Sequence, residues 1–173
     1  MLAEKYRKEG YAIASEDEAT FGLIPSTTRG WAKRGSKPVA IQNFQHKCIN
    51  VFGARTADTF EFMFAKKKNQ RTFIAFLKKV LKRFGKVCLF IDSAPCHKGK
   101  ILERFEEEHR QTLHIERFLK YCPELNPVEQ CWKPARQEIN NRFNPSIPAM
   151  EYHLKKVFQN PFLLPIMFKY LFD

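Results

Sequence analysis

Lys86-Val-Cys-Leu-Phe-Ile-Asp-Ser-Ala-Pro-Cys-His97 begins as an apolar run and ends in polar, reactive side chains. A run rich in Val, Leu, Phe and Ile, preceded by a polar helical pattern and closed by Ser-Ala-Pro, reads as a buried strand. Asp92 then stands at the strand's carboxyl end. In an open α/β sheet ligands bind outside the carboxyl ends of the strands, so an acid there is a candidate for chemistry. An Asp in that place also commonly caps the following turn, and other acids have to separate the two readings.

Two more acids follow the same logic. Asp17 closes the short apolar segment of Tyr11-Ala-Ile-Ala-Ser-Glu-Asp-Glu18, a strand pattern weakened by its alanines. Glu129 belongs to Tyr121-Cys-Pro-Glu-Leu-Asn-Pro-Val-Glu-Gln-Cys-Trp132. There Asn126 suits a helix N-cap and Pro127 the first helical position, which puts Glu129 in the first turn. Asn-x-x-Glu is equally a capping box in which the Glu serves only its helix. Cap and functional acid both stay open for Glu129.

Working outward, Gln70–Phe84 is the clearest helix. Phe73, Leu77, Val80 and Phe84 recur at helical spacing, Ile74 and Leu81 widen the stripe, and Gly85 offers a C-cap. Lys78, Lys79, Lys82 and Arg83 form its wet face. Cys48–Arg55 and Thr59–Phe64 read as an antiparallel pair, and Leu113–Leu119 as a half-buried strand. His97–His109 reads as a charged helix. A further helix is predicted from Pro127 toward Asn140, kinked by Pro134, after a loop at Tyr121–Asn126. Glu151–Gln159 and Phe162–Phe172 read as closing helices, Met1–Gly10 as a frayed one, 23–31 as a hairpin-like segment and Lys33–Pro38 as a basic turn. This order predicts an α/β fold, a mixed sheet flanked by helices.

The 173 residues, 44% hydrophobic with 17 Phe, suffice for one domain with a sizeable core. Thirty Lys and Arg against 18 Asp and Glu leave a net charge of +12, which favours a polyanionic partner, nucleic acid first. Five cysteines, Cys48, Cys88, Cys96, Cys122 and Cys131, are odd in number and contain no Cys-x-x-Cys pair. That pattern points to reduced thiols in a cytosolic setting, and no ligand spacing supports zinc. No apolar run approaches a membrane span.

Four blocks together resemble the DDE transposases of the mariner superfamily, in particular the bacterial and archaeal insertion-sequence branch. They are Asp17-Glu18, Arg29-Gly-Trp31-Ala-Lys33-Arg34-Gly35, Asp92-Ser-Ala-Pro-Cys-His97, and Pro123-Glu-Leu-Asn-Pro-Val-Glu129 followed by Trp132. Residues 93–128, 36 in number, separate the last two acids, similar to the family's spacing. Ser93 stands where the pattern usually has Asn, and Cys122 departs from a tyrosine- and serine-rich approach to its block. The resemblance implies a ribonuclease H-like fold and one catalytic domain over residues 1–173. It also implies that Asp17, Asp92 and Glu129 are the catalytic, metal-binding triad for two Mg²⁺ or Mn²⁺ ions. Hard cations of this kind prefer carboxylate oxygens and retained water. Glu18 is expected on the opposite side of its strand from Asp17.

The implied activity is metal-dependent DNA cleavage and strand transfer in cut-and-paste transposition. Transposon ends and target DNA are the partners, met by a homo-oligomer in a synaptic complex in the prokaryotic cytoplasm, at the nucleoid. Arg29, Lys33, Arg34 and Lys37 are candidates for DNA contact. Trp31 is a candidate for the same contact or for a hydrophobic plug at the sheet edge. For His97, orienting Asp92, touching DNA and capping a helix all stay open. Family members carry a helix-turn-helix region ahead of the first Asp, and fewer than twenty residues precede Asp17 here. That region is therefore expected to be absent, which makes a truncated or domesticated remnant that binds DNA without transposing one alternative, and a ribonuclease H-like nuclease the other.

Overall fold

The computed structural model describes residues 2–24, 26–37, 39, 41–118 and 126–161. Five strands form one sheet: β1 Ala12–Gly22, β2 Cys48–Arg55, β3 Phe60–Ala65, β4 Val87–Ile91 and β5 Leu113–Arg117. Their spatial order is β3-β2-β1-β4-β5. The β1–β2 and β2–β3 pairs are antiparallel, whereas β4 and β5 run parallel to β1. The helices are α1 Leu2–Lys8, α2 Gln70–Phe84, α3 Lys100–Glu108, α4 Glu129–Ile139 and α5 Ile147–Phe158.

Each face of the sheet has its own core. On one, α2 and α3 cover Ala14, Phe52, Ala54, Val87, Leu89 and Ile91. The α2 helix has the predicted bounds because its ends are chemically specified. Asn69 and Thr72 form a capping box, and Gly85, at φ 75°, ends the helix with its N–H on the Leu81 carbonyl. Its buried residues are Phe73, Phe76, Leu77 and Val80, each contributing about 1.5–3 kcal/mol by its burial. On the other face, α4 and α5 cover Ala19, Phe21, Leu23, Ile49 and Val51 with Trp132, Met150, Leu154 and Phe158.

The antiparallel pair at β2 and β3, the strand before Asp92 and the strand from Leu113 form as expected. Several expectations do not hold. Residues 26–33 contain no strand, so the hairpin-like reading of 23–31 is replaced by an irregular exposed segment. The segment is held instead by side-chain bonds, Asn141 to Thr28 and Asn43 to the Asn144 carbonyl, and among the described residues it pairs with no strand. His97–His109 divides into a 3₁₀ turn at Pro95–His97 and α3, with Gly99 between them at φ 115°. Helix α4 starts at Glu129, not Pro127, and continues through Pro134. Helix α5 starts four residues before the expected Glu151, capped by Ser146. The loop before Asn126 and the closing helix at Phe162–Phe172 lie outside the described residues, apart from Asn126 itself.

Candidate active site

Strand β1 outruns β4. Its parallel pairing with β4 ends at Ser15↔Phe90, and continuing that register by two residues puts Asp17 level with Asp92, just beyond the end of β4. Strand periodicity then sorts the acids of β1. Asp17 shares the α4 face with Ala19 and Phe21, while Glu16 and Glu18 share the α2 face with Ala14.

On the α4 face, Trp132 Nε1 donates to Asp17 Oδ2 at 2.8 Å. The indole is fully buried, and Gly53, the cross-strand partner of Asp17, leaves the space for it. A Cβ at Gly53 would lie 2.6 Å from the tip of the indole ring. Burial raises the Asp17 carboxyl to about 6; the Trp132 hydrogen bond opposes this, and the charge of Glu129 adds to it. Glu129, 41% exposed, opens α4 with Arg136 3.8 Å away. Among the described residues its side chain makes no hydrogen bond to the backbone ahead of the helix, so the capping-box geometry is not present there. The turn is fixed instead by Asn126, which accepts from the Val128 N–H at 3.1 Å and donates to the Glu16 carbonyl at 3.0 Å. This ties the start of α4 to β1 one residue from Asp17.

On the other side, Asp92 is 52% exposed at its side chain. One oxygen accepts from the Ala94 N–H at 2.8 Å and faces His97 Nδ1 at 2.9 Å. The His97 bond, the Ala94 N–H and the charges of His97 and Arg117 hold this carboxyl below its usual range against burial. Turn capping and exposure to a ligand thus coexist at Asp92. Arg117 clamps the turn, donating to the Asp92 carbonyl at 3.1 Å and the His97 carbonyl at 2.9 Å.

His97 is fully buried, with its ring 4.4 Å from that of Phe73. Its Nε2 lies 3.1 Å from Glu16 Oε2 and 3.2 Å from Glu18 Oε1. Burial opposes its protonation, but hydrogen bonds to Asp92, Cys96, Glu16 and Glu18 outweigh burial and raise its pKa. A DNA contact by His97 does not fit this burial, nor does it cap α3, whose N-cap is Gly99; orienting Asp92 does fit. Burial raises Glu16 to about 8, despite His97. Glu18 is also desolvated, yet the hydrogen bond and charge of His97, with the Cys96 thiol, hold it below the usual range.

The other expected DNA contacts, Arg29, Trp31, Lys33, Arg34 and Lys37, are exposed in the irregular segment between β1 and β2. Trp31 is fully exposed, which removes the plug at the sheet edge. Ser36 bonds back to the Lys33 carbonyl, forming the expected basic turn; Pro38 lies outside the described residues. Among the described residues no hydrogen bond or ion pair links these five to the three acids. Two asparagines anchor the segment: Asn141 brackets Thr28 through three bonds of 3.0 Å, and Asn43 donates to the Asn144 carbonyl at 2.7 Å.

Sequence reasoning missed Glu16, Arg117 and the tie from Asn126. Period-two alternation flags Glu16 as sharing a face with Glu18; the clamp by Arg117 has no local signal.

The mixed five-stranded sheet carries acids beyond one strand end, on the adjacent strand and at a helix start, and comparison with known proteins supplies the class. The family model described as DDE superfamily endonuclease matches residues 13–151, and the chain belongs to that family. No curated protein sequence matches. Among solved structures, the Mos1 mariner paired end complex with Mn is 15% identical, with a TM-score of 0.69, covering 94% of this chain and 54% of that one. For the Mos1 strand transfer complex the values are 16%, 0.66, 92% and 52%. The catalytic domain of Mos1 mariner transposase is 14% identical at a TM-score of 0.64, covering 94% and 79%. The fold is thus the ribonuclease H-like one, and the chain spans about half the length of the full transposase chains.

Proposed function

We propose that this chain is the catalytic domain of a mariner-type transposase, cleaving DNA at element ends and joining the freed 3′-hydroxyl to target DNA. The observation that carries this reading is the register that sets Asp17 level with Asp92, with Glu129 close enough to raise the Asp17 carboxyl. The three carboxylates suit a pair of Mg²⁺ or Mn²⁺ ions: Asp92 and Glu129 are half-open to water, which such cations retain, and Asp17 has no countercharge among the described residues. When bound, such ions stabilise charge on the attacking and leaving oxygens of a phosphodiester. The chain's own contribution is positioning. Trp132 orients Asp17, His97 and Ala94 orient Asp92, and Asn126 ties the helix bearing Glu129 to β1. The solved Mos1 structures include complexes with Mn and Mg and a strand transfer complex, in keeping with divalent metal, DNA and a synaptic homo-oligomer here. Arg29, Lys33, Arg34 and Lys37 supply phosphate contacts, with Trp31 against a base or sugar.

The test is incubation with Mn²⁺ and a pre-nicked element end beside a target duplex. Joined products are expected; cut but unjoined products would indicate a nuclease, and bound but uncut DNA a remnant. Glu129→Gln is expected to melt within about 0.5 kcal/mol of wild type, since it makes no cap, and to lose cutting and joining. Wild-type cleavage by this variant would remove Glu129 from the site.

A further inference from the structure

On the face of β1 opposite Asp17, four side chains converge that the cleavage reaction leaves without a task as a group. Glu18 and Cys96 are joined by a thiol-to-carboxylate contact of 2.6 Å, and His97 Nε2 lies 3.2 Å from the same Glu18 oxygen. One donor atom from each of Glu18, Cys96 and His97 falls within 4.8 Å of the others. Glu16 supplies the second observation. Its side chain is wholly buried, Oε1 has no hydrogen-bond partner among the described residues, and Oε2 faces His97 Nε2 at 3.1 Å, a nitrogen it shares with Glu18. His97 thus answers Glu16, Glu18 and Asp92 together, and a buried acid oxygen left without a partner beside them is costly.

We propose that Glu18, Cys96 and His97, with the Glu16 carboxyl beside His97, form a buried binding site for a zinc-class divalent cation, separate from the site of Asp17, Asp92 and Glu129. The donor set selects the cation: thiolate and imidazole suit Zn²⁺ and disfavour Mg²⁺, which demands oxygen and retained water. The site is also closed, as structural zinc sites are, because Glu16 and His97 are fully buried and Glu18 and Cys96 nearly so. His97 Nδ1 faces Asp92 at 2.9 Å, so when a cation displaces the proton that Nε2 shares with Glu16 and Glu18, the remaining proton stays on Nδ1 and the Nε2 lone pair meets the cation. Zinc–ligand lengths of about 2.0–2.3 Å, tetrahedrally arranged, need donors roughly 3.3–3.7 Å apart; the Glu18 oxygen lies 2.6 Å from the Cys96 thiol and 3.2 Å from His97 Nε2, and all three donors fall within 4.8 Å, so each pair moves by under about 1.2 Å. Spacing rules for zinc miss this set because one donor stands on a strand and two are adjacent in a turn some 80 residues later. Through His97 the cation would stiffen the group that holds Asp92.

Cobalt(II) reports such a site directly. The full chain, stripped by chelator and kept free of Mg²⁺, is titrated with Co²⁺. One equivalent is expected to give thiolate-to-cobalt charge-transfer absorption with tetrahedral d–d bands, bleached by Zn²⁺. Cys96→Ser is expected to abolish the charge-transfer band, whereas Asp17→Asn with Glu129→Gln is expected to keep it. Absence of the band from the wild-type chain, its survival in Cys96→Ser, or its loss in the double variant would overturn the proposal. Should Cys96→Ser fail to fold by circular dichroism, Glu18→Gln serves. A loss of cobalt affinity of at least about tenfold is then expected, and unchanged affinity overturns the site.

Discussion

Trp132 links the packing of the core to the chemistry of Asp17. Its indole ring is buried among Phe21, Phe60 and Phe158, while its one polar atom reaches the carboxylate. Trp132→Phe keeps an aromatic ring and removes the donor. It is expected to cost about 1–3 kcal/mol in urea unfolding and to lower Mn²⁺-dependent cleavage by roughly 10–100-fold, the usual penalty for losing a group that orients a ligand. Cleavage at the wild-type rate would show that the indole only packs. The cysteines give a second test at this scale. Burial pushes the Cys88 and Cys131 thiols up to about 12, so at pH 8 only on the order of one in ten thousand is thiolate, the reactive form. In a Cys122→Ser chain at pH 8, a thiol alkylator is expected to label exposed Cys48 first and to reach Cys88 and Cys131 only after denaturation; early labelling of Cys131 would contradict the packing. At the scale of residues the three acids were legible because motif and order carry them. Glu16 was not, since its burial depends on which turn packs over β1.

The elements read well where their ends and faces are specified locally. Helix α2 carries its apolar stripe, its capping box and its terminal Gly85 in its own sequence, and its bounds follow. Segment 23–31 has strand-like composition, but its neighbourhood is held by tertiary side-chain bonds from Asn141 and to Asn144, and no ladder forms among the described residues. The start of α4 was misread for a related reason: Asn126 turns toward β1 and fixes the turn before the helix, so the cap does not rest on Glu129, whose carboxylate faces Arg136. Strand β2 supplies the test at this scale. Gly53 lies opposite Asp17, and a methyl group there would meet Trp132 at 2.6 Å and Phe60 at 2.7 Å, two packed rings with little room to retreat. Gly53→Ala is therefore expected to destabilise by about 1–3 kcal/mol and to reduce cleavage further than stability explains, because the ring that must move holds Asp17. A normal melting temperature with normal cleavage would show that the rings yield freely.

For the whole molecule, charge decides how DNA is met. The net charge is +12, and three of the 18 acids, Glu16, Asp17 and Glu18, are turned largely inward, so the solvent-facing surface is more basic than the composition suggests. Arg29, Lys33, Arg34 and Lys37 are exposed on a segment held at Thr28 and Asn43 by bonds to the α4–α5 loop. None of the four is used by the core, so their removal leaves the fold intact. Each phosphate neutralised releases counterions and adds about −0.9 to the slope of log affinity against log salt on duplex DNA. If all four side chains contact phosphates, replacing them together by Ala flattens that slope by roughly 3.6, with binding weakened to a similar degree on unrelated sequences and no shift in melting temperature. Measuring affinity between about 50 and 200 mM salt for both chains tests this, the range over which phosphate contacts change binding most visibly. An equal slope in wild type and variant would move the DNA path away from this segment, leaving the basic face of α2, with Lys78, Lys82 and Arg83, as the surface to replace next.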